Sequence, residues 1–301
     1  MPSPPGASGR DLDAAAVDAT LRRTARQDEA PWLHREVARR LAEHLDPIRL
    51  QPGRVFDWWA GWGDGATALQ ARYPNATIVA IEADAGWAAR PMARPKRRWW
   101  PSPRGQASAR LVAGADDAAL GSAQLLWANM VLHAVVDPPA LFKRWHALLE
   151  VDGVLVFSCL GPATLKELRA LYAGLQWPPP TPGFIDMHDL GDMMVAAGFA
   201  APVLDQETLV LTWADAEAVL RDLRQLGGNA SPQRFRGLRT PRWRQRLLAA
   251  LDAQSGADGR ISLSFEIAYG HGFKVAPRVA AGEPVAVSLE AMRALVRRPG
   301  R

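Results

Sequence analysis

Between Arg54 and Ser158 the chain alternates short apolar runs with helical stretches, and this alternation restricts the fold more than any other feature. The apolar runs are Arg54-Val55-Phe56-Asp57, Thr77-Ile78-Val79-Ala80-Ile81 ending at Glu82, Arg110-Leu111-Val112, Gln124-Leu125-Leu126-Trp127 and Val154-Leu155-Val156-Phe157-Ser158. Pro52-Gly53 precedes the first and Asp152-Gly153 the last. Helical patterns fill residues 66–72, a stretch beginning near Ala85, and residues 139–149. Pro74 closes the first of these, and Asp64 stands where its N-cap belongs. Strands alternating with helices build a parallel sheet covered on both faces, and such sheets bind nucleotide-type ligands at the carboxyl ends of their strands.

Around this α/β core the texture differs. Residues up to about Arg10 read as a tail rich in Pro, Gly and Ser. From Asp13 to Leu45 the pattern is helical, with Leu33, Val37, Leu41 and Leu45 recurring every four residues. Beyond Ser158, the cluster Pro178-Pro179-Pro180-Thr181-Pro182 reads as a loop or lid. Helices are expected at 189–197 and 214–226, a final strand at 262–269, and a weakly ordered tail after about Pro277. The expected division is 1–45 for the N-terminal tail and helix and 46–160 for the ligand-binding core. A lid and substrate cap with the final strands follows at 161–276, and the tail at 277–301. With 301 residues, 48% of them hydrophobic, the chain can bury one large core.

The formal charge of +5 favours an acidic partner, nucleic acid or an anionic surface over a basic partner. A single cysteine, Cys159, excludes an intrachain disulfide and fits a reducing cytoplasm. The N-terminus lacks the pattern of a secretory signal. The uncharged run 118–136 contains Gln124, Asn129 and His133, and reads as a buried strand entering a loop and helix rather than a membrane span. A cytoplasmic protein with no membrane partner and no metal site is expected, because one cysteine and scattered histidines have no metal-ligand spacing.

Gly61-Trp62-Gly63-Asp64-Gly65-Ala66 matches G-x-G-x-x-A after the first strand. Glycines let the backbone approach a ligand, and the helix that follows offers free N–H groups. A tight turn with no ligand is the competing reading. Against it stands Glu82 at the end of the next strand, where a carboxylate can accept both ribose hydroxyls of a nucleoside. Asp57 ends the first strand, well placed for the amine of a methionine and poorly placed beside a pyrophosphate. Asp116 follows the third strand, where an adenine amino group would bind; a solvated turn carboxylate is its competing role. Three acids at successive strand ends favour S-adenosyl-L-methionine over NAD.

Several segments then resemble one family. They are Phe157-Ser158-Cys159-Leu160-Gly161-Pro162-Ala163-Thr164-Leu165-Lys166-Glu167-Leu168-Arg169 and Phe184-Ile185-Asp186-Met187-His188-Asp189-Leu190-Gly191-Asp192 followed by Ala197-Gly198-Phe199. Leu226-Gly227-Gly228-Asn229, Tyr269-Gly270-His271-Gly272-Phe273-Lys274 and Asn129-Met130-Val131-Leu132-His133 extend the likeness, which runs from about Leu33 to Lys274. The chain resembles the malonyl-[acyl-carrier protein] O-methyltransferases of biotin synthesis, within the class I S-adenosylmethionine-dependent superfamily. It departs from that superfamily at Trp59, which stands where the first loop glycine is expected.

The resemblance implies a doubly wound, mostly parallel seven-stranded sheet with helical caps at both ends. It implies a cofactor site at Asp57, Trp59, Gly61, Gly63, Glu82, Asp116 and Asn129, and a malonyl thioester, on acyl-carrier protein or coenzyme A, as methyl acceptor. A malonyl carboxylate is ionised at neutral pH, so a cation rather than a base is needed. His188, Lys166 and Arg169 are the candidates, with Arg144 behind them; a solvated helix face is the competing role for each Lys and Arg. His133 is expected beside the core, and His271 is left open. Lys96-Arg97-Arg98-Trp99-Trp100 with Arg104 is a basic, aromatic loop, read first as solvated, then as a carrier-protein dock, with nucleic acid disfavoured. The alternative to an enzyme is a non-catalytic relative that keeps the fold and binds an acyl carrier or another protein.

Overall fold

A computed structural model of the chain describes residues 12–27, 29–82, 111–114 and 118–276. Asp116, the basic loop 96–104, the helix near Ala85 and both expected tails lie outside the described residues.

The strands β1 (Arg54–Trp58), β2 (Thr77–Glu82), β3 (Leu111–Gly114), β4 (Ala123–Ala128), β5 (Leu149–Leu160), β6 (Phe199–Trp213) and β7 (Ile261–Lys274) form one sheet, in the order β3-β2-β1-β4-β5-β7-β6. The first five run parallel, and β7 is antiparallel to both of its neighbours. β1 is buried from its second residue onward, as a strand covered on both faces must be. The order reverses between β1 and β4, which puts the ligand crevice at the carboxyl ends of β1, β2 and β4.

Two apolar layers sandwich the sheet. Leu33, Val37 and Leu41 of α2 (Trp32–Glu43), with Leu45 after it, are at most 1% exposed and pack on one face. Phe142 and Trp145 of α5 (Pro138–Leu148) pack on the other with Phe157. Helix starts follow their side chains: Asp13, Asp137, Asp186, Asp215 and Thr240 each accept a first-turn backbone N–H.

The helix expected over 13–45 is two: α1 (Ala14–Thr24) and α2. Pro31 stands at the N-cap of α2, and a proline disfavours helix in the residue before it, so α1 cannot run on into α2. Asp64 does not cap α4 (Ala66–Arg72). Gly65 holds that position, and the Asp64 carboxylate instead accepts from Arg35 Nε at 2.7 Å. The edge strand β6 was not anticipated. Pro202 and Asp205-Gln206-Glu207 mask its alternation, yet Pro202 sits where the register with β7 shifts, which an edge strand tolerates. Three more helices complete the fold: α6 (Lys166–Gly174), α7 (Met187–Ala196) and α8 (Ala216–Gln225); a fourth, α9 (Pro241–Asp252), packs beside α8. The short turn Ala60–Gly63 is numbered α3. Among the described residues no helix is long and apolar enough to cross a membrane.

Candidate cofactor loop and acceptor cavity

Asp57, one residue from the end of β1, lies between Ala80 and Trp127 in register and is 1% exposed. Glu82 ends β2 and is 4% exposed. Both of its oxygens lie 3.2 Å from the Gly61 N–H, so the carboxylate faces the loop between β1 and α4. The structure therefore brings Asp57, Gly61 and Glu82 together at one edge.

Trp59 has φ 54° and ψ 52°, a left-handed conformation in which a non-glycine residue costs about 1–2 kcal/mol. The superfamily glycine would carry no such cost. The conformation is held by its neighbours: the Trp59 N–H donates to the Ile81 carbonyl at 2.6 Å, and its own carbonyl accepts from Trp62 and Gly63. The indole is half-buried and packs against both the β1-side core and a small cluster of Val17, Leu21, Trp62 and Ala230.

Trp62 is 2% exposed and divides the loop from a cavity beyond it. Its Nε1 donates to the Met130 carbonyl at 2.8 Å, and its own carbonyl accepts from His34 Nδ1 at 2.8 Å. Burial depresses the His34 pKa to about 4, so the ring is neutral and Nδ1 carries the proton. Gly63 is required by close approach: a Cβ there would lie 2.9 Å from the Asn129 carbonyl oxygen, and one on Gly65 would strike the Trp127 indole.

Asn129 has a different role from the one expected. Its Nδ2 donates to the carbonyls of His34 at 2.8 Å and Gly63 at 2.5 Å, and its Oδ1 accepts from Ser158 Oγ at 2.7 Å. Both amide protons are used, so the side chain braces the loop and presents no donor to a ligand.

Behind Trp62 lies an apolar cavity of about 180 Å³, walled by Val17 and Leu21 of α1, Leu168 of α6, Pro180 and Phe184 of the proline segment, and Phe265 of β7. The proline segment closes over it, fixed by Asn229 Nδ2 donating to the Pro179 carbonyl at 2.7 Å. His133 lines the same cavity, half-buried. So does Thr181, 9% exposed, whose Oγ1 has no hydrogen-bond partner among the described residues. Neither Thr181 nor the brace Asn229 has a role of its own legible in the sequence. A hydroxyl inside a proline run carries no motif, and only the closed lid gives it a direction.

The three expected carboxylate holders are not brought to this cavity. α6 turns Leu168, Leu171 and Tyr172 inward, which leaves Lys166 exposed, and the Arg169 guanidinium is tied to the Pro162 carbonyl. α7 turns Leu190 and Met194 inward, which leaves His188 exposed. Arg144 is half-buried with its guanidinium carbon 6.0 Å from the Trp58 ring centre. His271 pairs with Val156 and lines surface pockets beside Pro47 rather than the acceptor cavity, and burial lowers its pKa. Among the described residues no group of three or more His, Cys, Asp or Glu side chains is gathered as a metal ion would need.

Residues 30–202 match a family model described as a methyltransferase domain. A malonyl-[acyl-carrier protein] O-methyltransferase of Laribacter hongkongensis is 41% identical over 276 residues, covering 88% of this chain and 91% of the relative. Enzymes of the same name from Gallionella capsiferriformans and a Methylovorus species are each 37% identical and cover 89% of this chain, with 93% and 92% of the relatives covered.

Proposed function

The chain belongs to the methyltransferase-domain family of these malonyl-[acyl-carrier protein] O-methyltransferases, and from that premise we propose that it moves a methyl group from S-adenosyl-L-methionine to the free carboxylate of a malonyl thioester on an acyl-carrier protein. The reaction would serve biotin synthesis in the cytoplasm, a setting consistent with the single, buried Cys159. Malonyl-coenzyme A carries the same reacting carboxylate and is the small-molecule alternative.

One observation carries the reading. Two buried carboxylates, Asp57 and Glu82, lie at the carboxyl ends of adjoining parallel strands, the glycine turn follows Asp57, and an apolar cavity opens behind Trp62. That donor set fits S-adenosylmethionine, Asp57 for its ammonium and Glu82 for its ribose. When bound, the cofactor supplies an electrophilic sulfonium methyl. The chain's own residues then position and desolvate the acceptor, which needs no base because it is already ionised. The apolar walls exclude water, and Thr181 Oγ1 offers a donor to an acceptor oxygen inside them. Trp59 is the observation that favours the second reading, a non-catalytic relative. Calorimetric titration with S-adenosylhomocysteine separates the two: saturable binding supports the enzyme, and no binding at millimolar ligand supports the scaffold.

Glu82→Ala should weaken that binding by about 1.5–3 kcal/mol, the range for hydrogen bonds to a charged group. Unchanged affinity in a folded variant removes Glu82 from the site.

Trp59→Gly restores the superfamily loop pattern. It removes about 1–2 kcal/mol of left-handed strain but also an indole packed against two clusters, a change that costs about 3–5 kcal/mol where an aromatic is fully buried. For a half-buried indole about half of that loss applies and is nearly offset by the strain relieved, so we expect a net loss of about 0–1 kcal/mol and no gain in cofactor affinity. Tighter binding at undiminished melting temperature would show instead that the natural loop is a damaged one.

A further inference from the structure

Residues 221–246 hold eight arginines and one aspartate. They form the end of α8, the connection, and the start of α9. This stretch forms the rim of the acceptor cavity: Gly227 to Ala230 line the cavity itself, while Arg224, Arg239 and Arg244 line an adjoining groove. Cavity and groove share Leu168, Pro180, Leu223 and Gly227 in their walls.

The stretch is held in place near its middle. Arg234 Nη1 donates to Asp13 Oδ2 and to the Ser231 carbonyl, at 2.8 and 2.9 Å, and the Asp13 N–H donates to the Ala230 carbonyl at 2.9 Å. Arg239 is clamped between two rings, 4.1 Å from the Phe235 centre and 4.3 Å from that of Trp243. Around it, Leu238 is 96% exposed and Phe235 45% exposed. Arg224, Arg242 and Arg246 are exposed and have no carboxylate within ion-pair distance among the described residues. Uncompensated arginines around the exposed Leu238 and Phe235 are what a protein interface uses against an acidic surface.

We propose that this arginine-rich rim docks the acidic face of the protein that carries the malonyl thioester. Docked there, a carrier would deliver its flexible acyl arm past Arg224 and Arg239 into the cavity behind Trp62. The inference rests on the proposed carrier-bound substrate, and names the surface that recognises it.

The test compares wild type with the double variant Arg242→Glu/Arg246→Glu, at exposed side chains outside the cavity walls. Binding of fluorescently labelled acyl-carrier protein is measured, with turnover of malonyl thioesters on carrier protein and on a short thiol. We expect carrier binding to weaken by about tenfold or more, KM for the carrier substrate to rise in parallel, and turnover of the small thioester to stay unchanged. In wild type, carrier affinity should fall steeply from about 50 to about 300 mM salt, a readout that needs no variant to fold. Unchanged carrier binding in the variant, or salt-independent binding in wild type, overturns the docking surface. Loss of affinity for a labelled single-stranded oligonucleotide, with carrier binding retained, overturns it in favour of nucleic acid. If wild type methylates neither thioester, the functional reading fails, and the binding arm still decides the surface.

Discussion

Trp62→Ala should destabilise the fold by about 3–5 kcal/mol and remove methyl transfer. The indole is 2% exposed and does three things at once. It fills the space between the cofactor loop and the acceptor cavity, its Nε1 satisfies the Met130 carbonyl, and its ring edge meets His34 at a centroid distance of 4.9 Å. Truncation leaves a cavity that the braced loop cannot collapse into, because Asn129 holds Gly63 and His34 together from behind. Water then reaches the acceptor site. Urea unfolding checks the stability; a loss below about 1 kcal/mol would mean that the wall between loop and cavity is soft.

His34 should make the fold sensitive to mild acid. Its folded pKa is about 4, against an ordinary 6.5, because burial penalises the charged ring. A depressed pKa means that the unfolded chain binds the proton more readily. The contribution is fully present above pH 6.5, declines as pH falls towards about 4, and is gone below. The difference of about 2.5 units corresponds to about 3 kcal/mol. Carboxylates also lose their pairings in acid, so the comparison is with His34→Gln, which keeps a donor for the Trp62 carbonyl but does not titrate. Between pH 7 and 4.5 the wild type should lose more stability than the variant. Parallel losses would show that His34 is not buried neutral.

The sheet was legible because parallel strands buried on both faces carry apolar runs, and the central stretches of β1, β2, β4 and β5 do. Asp57 and Glu82 were legible for the complementary reason: an acid ending such a run is conspicuous. The braces were not. Asn129 reads like a ligand-facing residue after the fourth strand, and only its partners, carbonyls of residues 34 and 63, show that it is consumed by the fold. Lys166, Arg169 and His188 sit in the most family-like segments, but helix phase turns leucines inward from those segments and the charges outward. Charge type was readable there and direction was not. The rim arginines carried the opposite problem. Their density hid the start of α9, whose apolar Leu247 and Leu251 are its only inward-facing residues at full burial.

The central claim, that this cleft methylates a malonyl carboxylate, is tested by incubating the protein with malonyl-acyl-carrier protein and S-adenosylmethionine bearing a labelled methyl group, followed by mass spectrometry of the carrier. The account predicts label on the carrier as an ester whose alkaline hydrolysis releases labelled methanol. An unlabelled carrier, from protein that also fails to bind S-adenosylhomocysteine, would contradict it.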